Sequence, residues 1–223
     1  NRNRKEKIVD ITFDIREGPR VFVERIDISG NVRTIDKVIR REFQIVEGDA
    51  FNAAKLRRSR QRIQNLDFFN KVNIQRLPGS TPDKTIVKVE IEEKSTGSLS
   101  FGVGFSTDSG ALLDLGLRES NLLGRGQALS FNGTLAAEKS TVNISFTEPY
   151  FLDRDIAAGF DLYHVNQDLQ DTRSYDFKKS GLGLRAGFQV APFLRQNWRY
   201  KAEVSSIENV ASSASSLIQA QEG

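Results

Sequence analysis

The sequence predicts an α+β unit of order β-α-α-β-β, followed by an antiparallel transmembrane β-barrel truncated after about seven strands. Three observations carry that expectation. Residues 21–95 pass from period-two alternation to helical spacing and back. Beyond Gly97, segment after segment alternates apolar and polar residues with no helical stretch between them. Composition changes near Ser95 from Lys/Arg/Glu-rich to Gly/Ser/Leu/Phe-rich, and charge changes with it. Residues 1–96 carry 21 Lys+Arg against 15 Asp+Glu, net +6, and the remainder 11 against 14, net −3. The expected divisions are 1–20, the end of a preceding domain; 21–95, a complete unit; and 96–223, the N-terminal part of a barrel.

Taken in order, residues 8–16 alternate Val9, Ile11, Phe13 and Ile15 with Asp10, Thr12, Asp14 and Arg16, and read as one strand closed by the Glu17-Gly18-Pro19 turn. One strand cannot bury its own apolar face, so it is assigned to the preceding domain, with membership of the next sheet as the alternative. Val21 to Ser29 is a strand ending at the Gly30-Asn31 turn. Thr34 is the expected N-cap of a first helix with Ile35, Val38, Ile39 and Phe43 on one face. Asn52 caps a second helix whose Leu56, Ile63 and Leu66 share a stripe. Strands at 72–77 and 86–93 complete the unit, joined by a turn containing Pro78-Gly79 and Pro82.

The second helix also carries Lys55, Arg57, Arg58, Arg60 and Arg62. The bland reading is a solvated helix face; the functional one is a docking patch for an acidic partner or anionic head groups. Nucleic acid is disfavoured, because no aromatic residues are interleaved with the arginines.

The seven expected strands lie at 99–105, 113–117, 129–135, 142–147, 156–164, 181–190 and 198–206. In the sixth, Leu182, Leu184, Ala186, Phe188 and Val190 alternate with Gly181, Gly183, Arg185, Gly187 and Gln189. Period two gives each strand two faces, and both a soluble sandwich and a membrane barrel satisfy it. A sandwich favours Val, Ile and Thr, whereas the apolar face here is mostly Leu, Phe and Ala, which argues for a barrel with that face toward lipid. An open sheet leaves unsatisfied edges in lipid, so the barrel is expected to be incomplete in this sequence. The loop-like tail from Asn209 agrees, as does the absence of Met behind an N-terminal Asn, which suits a processed or excised chain.

Nothing points to an enzyme. No stretch is long and apolar enough for a membrane helix, and the absence of Cys excludes disulfides and thiolate metal sites. Gly181-Leu-Gly183-Leu-Arg-Ala186 imitates a dinucleotide fingerprint, but its alternation runs on to Val190 where a helix would have to start. His164, the sole histidine, is placed at a strand end without partner ligands. No cofactor and no metal are expected.

Particular motifs are familiar. The β-α-α-β-β unit with Gly30-Asn31, the EGDAF run and LDFF at 66–69 resembles a POTRA domain. GSLSFGVGFSTDSG, NLLGRGQ at 121–127 and FTEPYF at 146–151 resemble the first strands and turns of the BamA family of bacterial outer-membrane assembly factors. NLLGRG-type turns recur in relatives, the TamA-like and two-partner secretion transporters, which stand as the alternative. The resemblance implies a barrel in the outer membrane and a POTRA unit in the periplasm. The implied partners are unfolded outer-membrane proteins, accessory assembly lipoproteins and outer-membrane lipid. It also implies that the first strand is a weak seam on which client strands are paired, and the residues expected to form it are Ser98, Ser100, Gly102, Gly104 and Ser106. Glycine inside a strand weakens pairing and permits close backbone approach; the alternative is that Gly and Ser only face a crowded lumen. Since the POTRA unit precedes the first strand, the turns at 119–126, 148–155 and 191–196 are expected on its side of the membrane. The loops at 107–110, 138–141 and 166–176 then lie on the other side. A soluble scaffold is the third reading.

Overall fold

A computed structural model describes residues 19–222 except 108 and 192, together with the backbone of 2–3 and 8–9; of Thr172 only the backbone is described. Two short strands, β1 (Arg2–Asn3) and β2 (Ile8–Val9), pair antiparallel. The rest of the strand expected over 8–16 lies outside the described residues.

The α+β unit runs through β3 (Phe22–Ser29), α1 (Asp36–Arg40), α2 (Ala53–Asn65), β4 (Phe69–Pro78) and β5 (Lys84–Glu93). Its sheet has the order β3-β5-β4. β5 pairs antiparallel with β4 and parallel with β3, so the chain between β3 and β5 makes the long crossover that parallel pairing demands. Val23, Ile26, Val72, Val87, Val89 and Ile91 from the sheet meet Val38, Ile39, Ile45 and Ile63 from the helical layer in one core. The buried Ser59 is satisfied: its hydroxyl donates to the Lys55 carbonyl and accepts from the Gln44 N–H. Asn52 caps α2 as expected, its Oδ1 accepting from the N–H groups of Ala54 and Lys55 at 2.9 and 3.0 Å.

Thr34 does not cap α1. Ile35 occupies the N-cap position with no side-chain bond, and its own side chain is exposed instead of joining Val38 and Ile39. Thr34 is buried, and its hydroxyl oxygen accepts a hydrogen bond from Asn121, far away in sequence. The local capping bond loses to a tertiary one.

Seven strands follow in a single antiparallel sheet of sequential neighbours: β6 (Gly97–Ser106), β7 (Gly110–Leu122), β8 (Gln127–Ala136), β9 (Lys139–Glu148), β10 (Ile156–Asp168), β11 (Asp176–Ala191) and β12 (Leu194–Glu208). A 3-10 turn (Phe151–Asp153), α3 (Gln170–Arg173) and α4 (Ser216–Gln219) are the remaining elements. All seven expected strands are present, several longer than expected. His164 lies inside β10, not at a strand end, with Nδ1 2.8 Å from the Ser180 hydroxyl.

The register sorts every strand into the same two faces. Leu99, Leu117, Phe131, Ile144, Leu162, Leu182 and Ala202 stand in one cross-strand row. One residue on, Ser100, Gly116, Asn132, Asn143, Tyr163, Gly181 and Glu203 form the neighbouring row on the opposite face. The polar face is cross-linked by side chains: Arg185 bridges to Asp161 at 2.7 Å, and Ser145 donates to the same carboxylate at 2.7 Å. Among the described residues no second sheet covers the apolar face, and Leu99, Phe101, Val103 and Phe105 remain 68–79% exposed. A sandwich would have buried them. The apolar run of β11 from Leu182 to Val190 has the length of about nine residues that a tilted strand needs to cross a membrane.

Candidate functional site

Two places qualify: the edge of the sheet at β6, and the base where the α+β unit meets the barrel strands. β6 pairs with β7 from Gly97↔Glu119 to Ser106↔Gly110, and over 97–105 its other edge meets no strand among the described residues. Ser98, Ser100, Gly102, Gly104 and Ser106 all lie on its polar face. A Cβ on Gly102 would meet Asp114 Cβ at 3.6 Å, an ordinary contact, and one on Gly104 would meet Leu112 Cδ1 at 3.2 Å. Crowding by β7 does not demand glycine at 102. What glycine does there is remove side-chain packing from the strand that ends the sheet.

The base is built from the first two turns. In NLLGRG, Gly124 has φ +72, and a Cβ there would sit 1.9 Å from the Arg33 carbonyl oxygen, so only glycine fits. This close approach lets the Gly124 carbonyl accept from the Ile35 N–H at 2.9 Å. Asn121 donates to Thr34 Oγ1 at 2.8 Å while its Oδ1 accepts from the Gly126 N–H at 2.7 Å. In the second turn, the Tyr150 ring lies 4.0 Å from the Arg41 guanidinium carbon. The Tyr150 hydroxyl donates to Glu42 at 3.1 Å and accepts from Arg62 Nη2 at 3.2 Å. Arg62 Nε donates to the other oxygen of the buried Glu42 carboxylate at 2.9 Å. Arg41 Nε and Nη2 are buried without hydrogen-bond partners; the ring face and the Glu42 carboxylate 3.9 Å away compensate their charge. Burial, and then the Glu42 charge, push the Tyr150 phenol above its ordinary range. Lys37 bridges to Asp153 at 2.6 Å beside it.

Of the basic residues on α2, Lys55, Arg57, Arg58 and Arg60 are exposed and make no ion pair among the described residues. Arg62 is set apart, spent on Glu42 and Tyr150. The turns at 119–126 and 148–155 do lie against the α+β unit, as chain order requires. Arg41, Glu42, Thr34, Asn121 and Tyr150 are the residues that sequence reasoning missed as a group; their only local trace is that Asn121 and Tyr150 fall in the NLLGRG and FTEPYF motifs.

Comparison with known families agrees with this geometry. The POTRA model, described as a surface antigen variable number repeat, matches residues 21–94, and the model of the Omp85 superfamily domain matches 121–221. The chain belongs to the Omp85 superfamily. It is 30% identical to the outer membrane protein assembly factor BamA of Nitratidesulfovibrio vulgaris, over 100% of this chain and 28% of that protein. With BamA of Neisseria meningitidis it shares 31% identity over 90% of the chain and 26% of the relative. The chain thus spans about a quarter of the length of these curated relatives. The crystal structure of BamA from Haemophilus ducreyi lacking POTRA domains 1–3 superposes with a TM-score of 0.73 at 28% identity, covering 94% of this chain and 40% of that one. CdiB from Acinetobacter baumannii shares the fold alone, with a TM-score of 0.58 at 15% identity over 86% of this chain and 39% of CdiB. The Omp85 chain is therefore a POTRA unit, periplasmic, leading into the first strands of an outer-membrane barrel.

Proposed function

We propose that this Omp85 chain is part of an assembly factor that folds and inserts β-barrel proteins into the outer membrane, with β6 as the edge on which client strands are paired. The observation that supports the reading is the polar face of β6, which is only Ser and Gly; the outer edges of β6 and β12 are both unpaired over most of their length among the described residues, but the polar face of β12 carries Arg199, Lys201 and Glu203 instead. Unpaired backbone groups in lipid cost several kcal/mol each, so the β6 edge has to be closed by a strand. A seam with little side-chain packing opens more readily than its neighbours and offers N–H and C=O groups to an incoming strand. New backbone hydrogen bonds and the client's own lipid contacts drive the step, and no catalytic residue is required. The apolar row through Leu99 and Leu182 faces lipid. Lys55, Arg57, Arg58 and Arg60 form a docking face for acidic surfaces of accessory lipoproteins; Arg62 belongs to the POTRA–barrel junction instead.

Single cysteines at Ser100 and Ser106 of the full-length protein test the pairing against cysteines in a client's terminal strand. Register-dependent disulfides should form during assembly, and a cysteine at Ser130 on β8 should form none. A client that inserts without ever crosslinking to β6 reduces that strand to a wall of the barrel.

A further inference from the structure

We propose that the polar face of β10 to β12 holds a carboxylate-binding site at its POTRA-side end, in which Arg195 and Arg199 receive acidic stretches of an unfolded client protein. The inference rests on the assembly reading, which turns the polar face toward the barrel interior, and adds the chemistry of what that interior receives.

The site follows from the register. Gly187 pairs with Ala157 on one side and Asn197 on the other, and Arg185 with Gly159 and Arg199, so small residues of β10 and β11 make a floor between longer side chains. The result is an open cavity of about 450 Å³ with Arg185, Arg195, Asn197 and Arg199 around it. A Cβ on Gly187 would lie 2.7 Å from Asn197 Oδ1 and 3.5 Å from Arg195 Nη2, so the glycine leaves these side chains room to lie over the floor. Thr147, Ala157 and Arg195 each stand one residue inside the ends of β9, β10 and β12 that lead into the POTRA-side turns. The cavity therefore lies at the end of the interior nearest the POTRA unit.

Its charges are unbalanced. Arg185 is held by Asp161 and also donates to Ser145 Oγ at 2.9 Å and Thr147 Oγ1 at 3.2 Å. Lys179 and Lys201 share Glu203. That occupies both carboxylates of this face between β9 and β12. Arg195 and Arg199 are exposed and make no ion pair or side-chain hydrogen bond among the described residues. Arg199 moreover stands directly opposite Arg185, a cross-strand pairing of like charges that costs stability until an anion lies between them. The excess is confined to this wall, because the same face of β6 to β8 carries one charge of each sign, Asp114 and Arg118. It also runs against the net −3 of residues 97–223. A guanidinium grips a carboxylate through two parallel N–H donors. Carboxylates of an incoming chain are costly in hydrocarbon and so keep to the polar interior, and an exposed guanidinium binds each weakly enough to release it. A strand added beside β12 leaves both arginines on this face, since period two fixes the face whatever the neighbour.

The test uses the full-length protein folded into phosphatidylcholine nanodiscs, with an Asp-rich fluorescent peptide and its Asn counterpart as probes. Anisotropy should report binding of the Asp peptide alone, weakening as salt is added. Arg195→Gln with Arg199→Gln should weaken it by about tenfold. Arg195→Lys with Arg199→Lys should retain most of it, and Arg118→Gln on the other wall should change nothing. No binding of the Asp peptide to the unaltered protein overturns the site, the arginines then being paired from within the chain. Binding that ignores the Gln pair belongs to another basic surface, such as α2, and overturns it as well. Tighter binding of inorganic phosphate than of the peptide makes the cavity a small-anion site and sinks the client as occupant. A photo-crosslinker on Asn197→Cys should capture acidic stretches of a client during insertion, and less so once those stretches are changed to Asn. A client that crosslinks at Ser100→Cys but never at 197 overturns the site and leaves the assembly reading standing; one that crosslinks at neither overturns both.

Discussion

β5 and β6 are separated by three residues and carry the same alternation, yet they end in opposite environments. Val87, Val89 and Ile91 of β5 are buried in the POTRA core, while Leu99, Phe101, Val103 and Phe105 of β6 are exposed on the outside of a sheet. All the buried hydrophobic residues lie between Val23 and Ile91, among the described residues. A period of two therefore specifies that a strand has two faces and says nothing about the solvent each one meets. The solvent is settled by what covers the sheet: a helical layer in the POTRA unit, the membrane in the barrel.

The largest effect should come from placing the same charge in the two environments. Ile63 is fully buried against the sheet, so Ile63→Asp leaves an unpaired charge in the core. Residues 21–95 expressed alone should melt cooperatively with mixed α/β circular dichroism, and Ile63→Asp should cost more than about 4 kcal/mol and abolish the melt. A charge on the barrel's apolar face is penalised only by lipid. Leu184→Arg should destabilise the full-length protein by about 2–4 kcal/mol in vesicles if it sits near the midplane. The opposite face is sharper, because its glycines differ. A Cβ on Gly183 would lie 3.5 Å from Asp161 Cβ, whereas one on Gly159 would lie 2.4 Å from the Phe146 carbonyl oxygen of the paired strand. Gly183→Ala should be mild and Gly159→Ala should impair folding into vesicles. Equal tolerance at 183 and 184 would count against a barrel.

The junction between the two regions should respond more weakly. Tyr150→Phe keeps the ring over Arg41 and removes the hydroxyl that Glu42 and Arg62 share. Both charge-assisted hydrogen bonds of the hydroxyl are lost, but Arg62 and Glu42 keep their direct bond, so the POTRA unit should loosen from the barrel by about 1.5–3 kcal/mol. Distances between spin labels on α2 and β9 should broaden, while the melt of residues 21–95 alone is unchanged for lack of residue 150.

What was legible in the sequence follows the range of the interactions. Asn52 was read correctly because its cap is completed two and three residues away. Thr34 was misread because its partner lies 87 positions on, and nothing local distinguishes a hydroxyl that caps from one that receives Asn121. The Tyr150 cluster was invisible for the same reason, its members being brought together across 108 positions. Strands β10 and β11 run past the expected ranges because their outer ends leave the apolar band: on the face of Leu162 and Leu182, the residues beyond are His164, Asn166, Ser180 and Lys178. The alternation vanishes there although the hydrogen-bonded ladder continues.

The smallest effect concerns the carboxylate behind Thr34. Glu93 ends β5, and its two oxygens accept from the Thr34 N–H at 2.7 Å and the Arg33 N–H at 2.9 Å. Burial works to raise its pKa, but hydrogen bonds from the Thr34 side chain and from these two backbone groups outweigh it and hold Glu93 below the usual carboxylate range. A carboxylate whose pKa is depressed on folding stabilises above the unfolded value and loses that contribution as pH falls through the folded one. Acid should therefore release the Arg33–Thr34 segment first, and with it the seat of Asn121 and Gly124. The POTRA core itself depends on apolar packing and should persist. Lowering the pH below about 4 should increase hydrogen exchange at the N–H groups of Arg33, Thr34 and Ile35 before it does so in β3 or β5. Glu93→Gln should show that faster exchange already at neutral pH and remove its acid dependence. If exchange in this segment is indifferent to both pH and the substitution, Glu93 does not hold the POTRA side of the junction, and the Gly124, Asn121 and Tyr150 contacts must position the barrel without it.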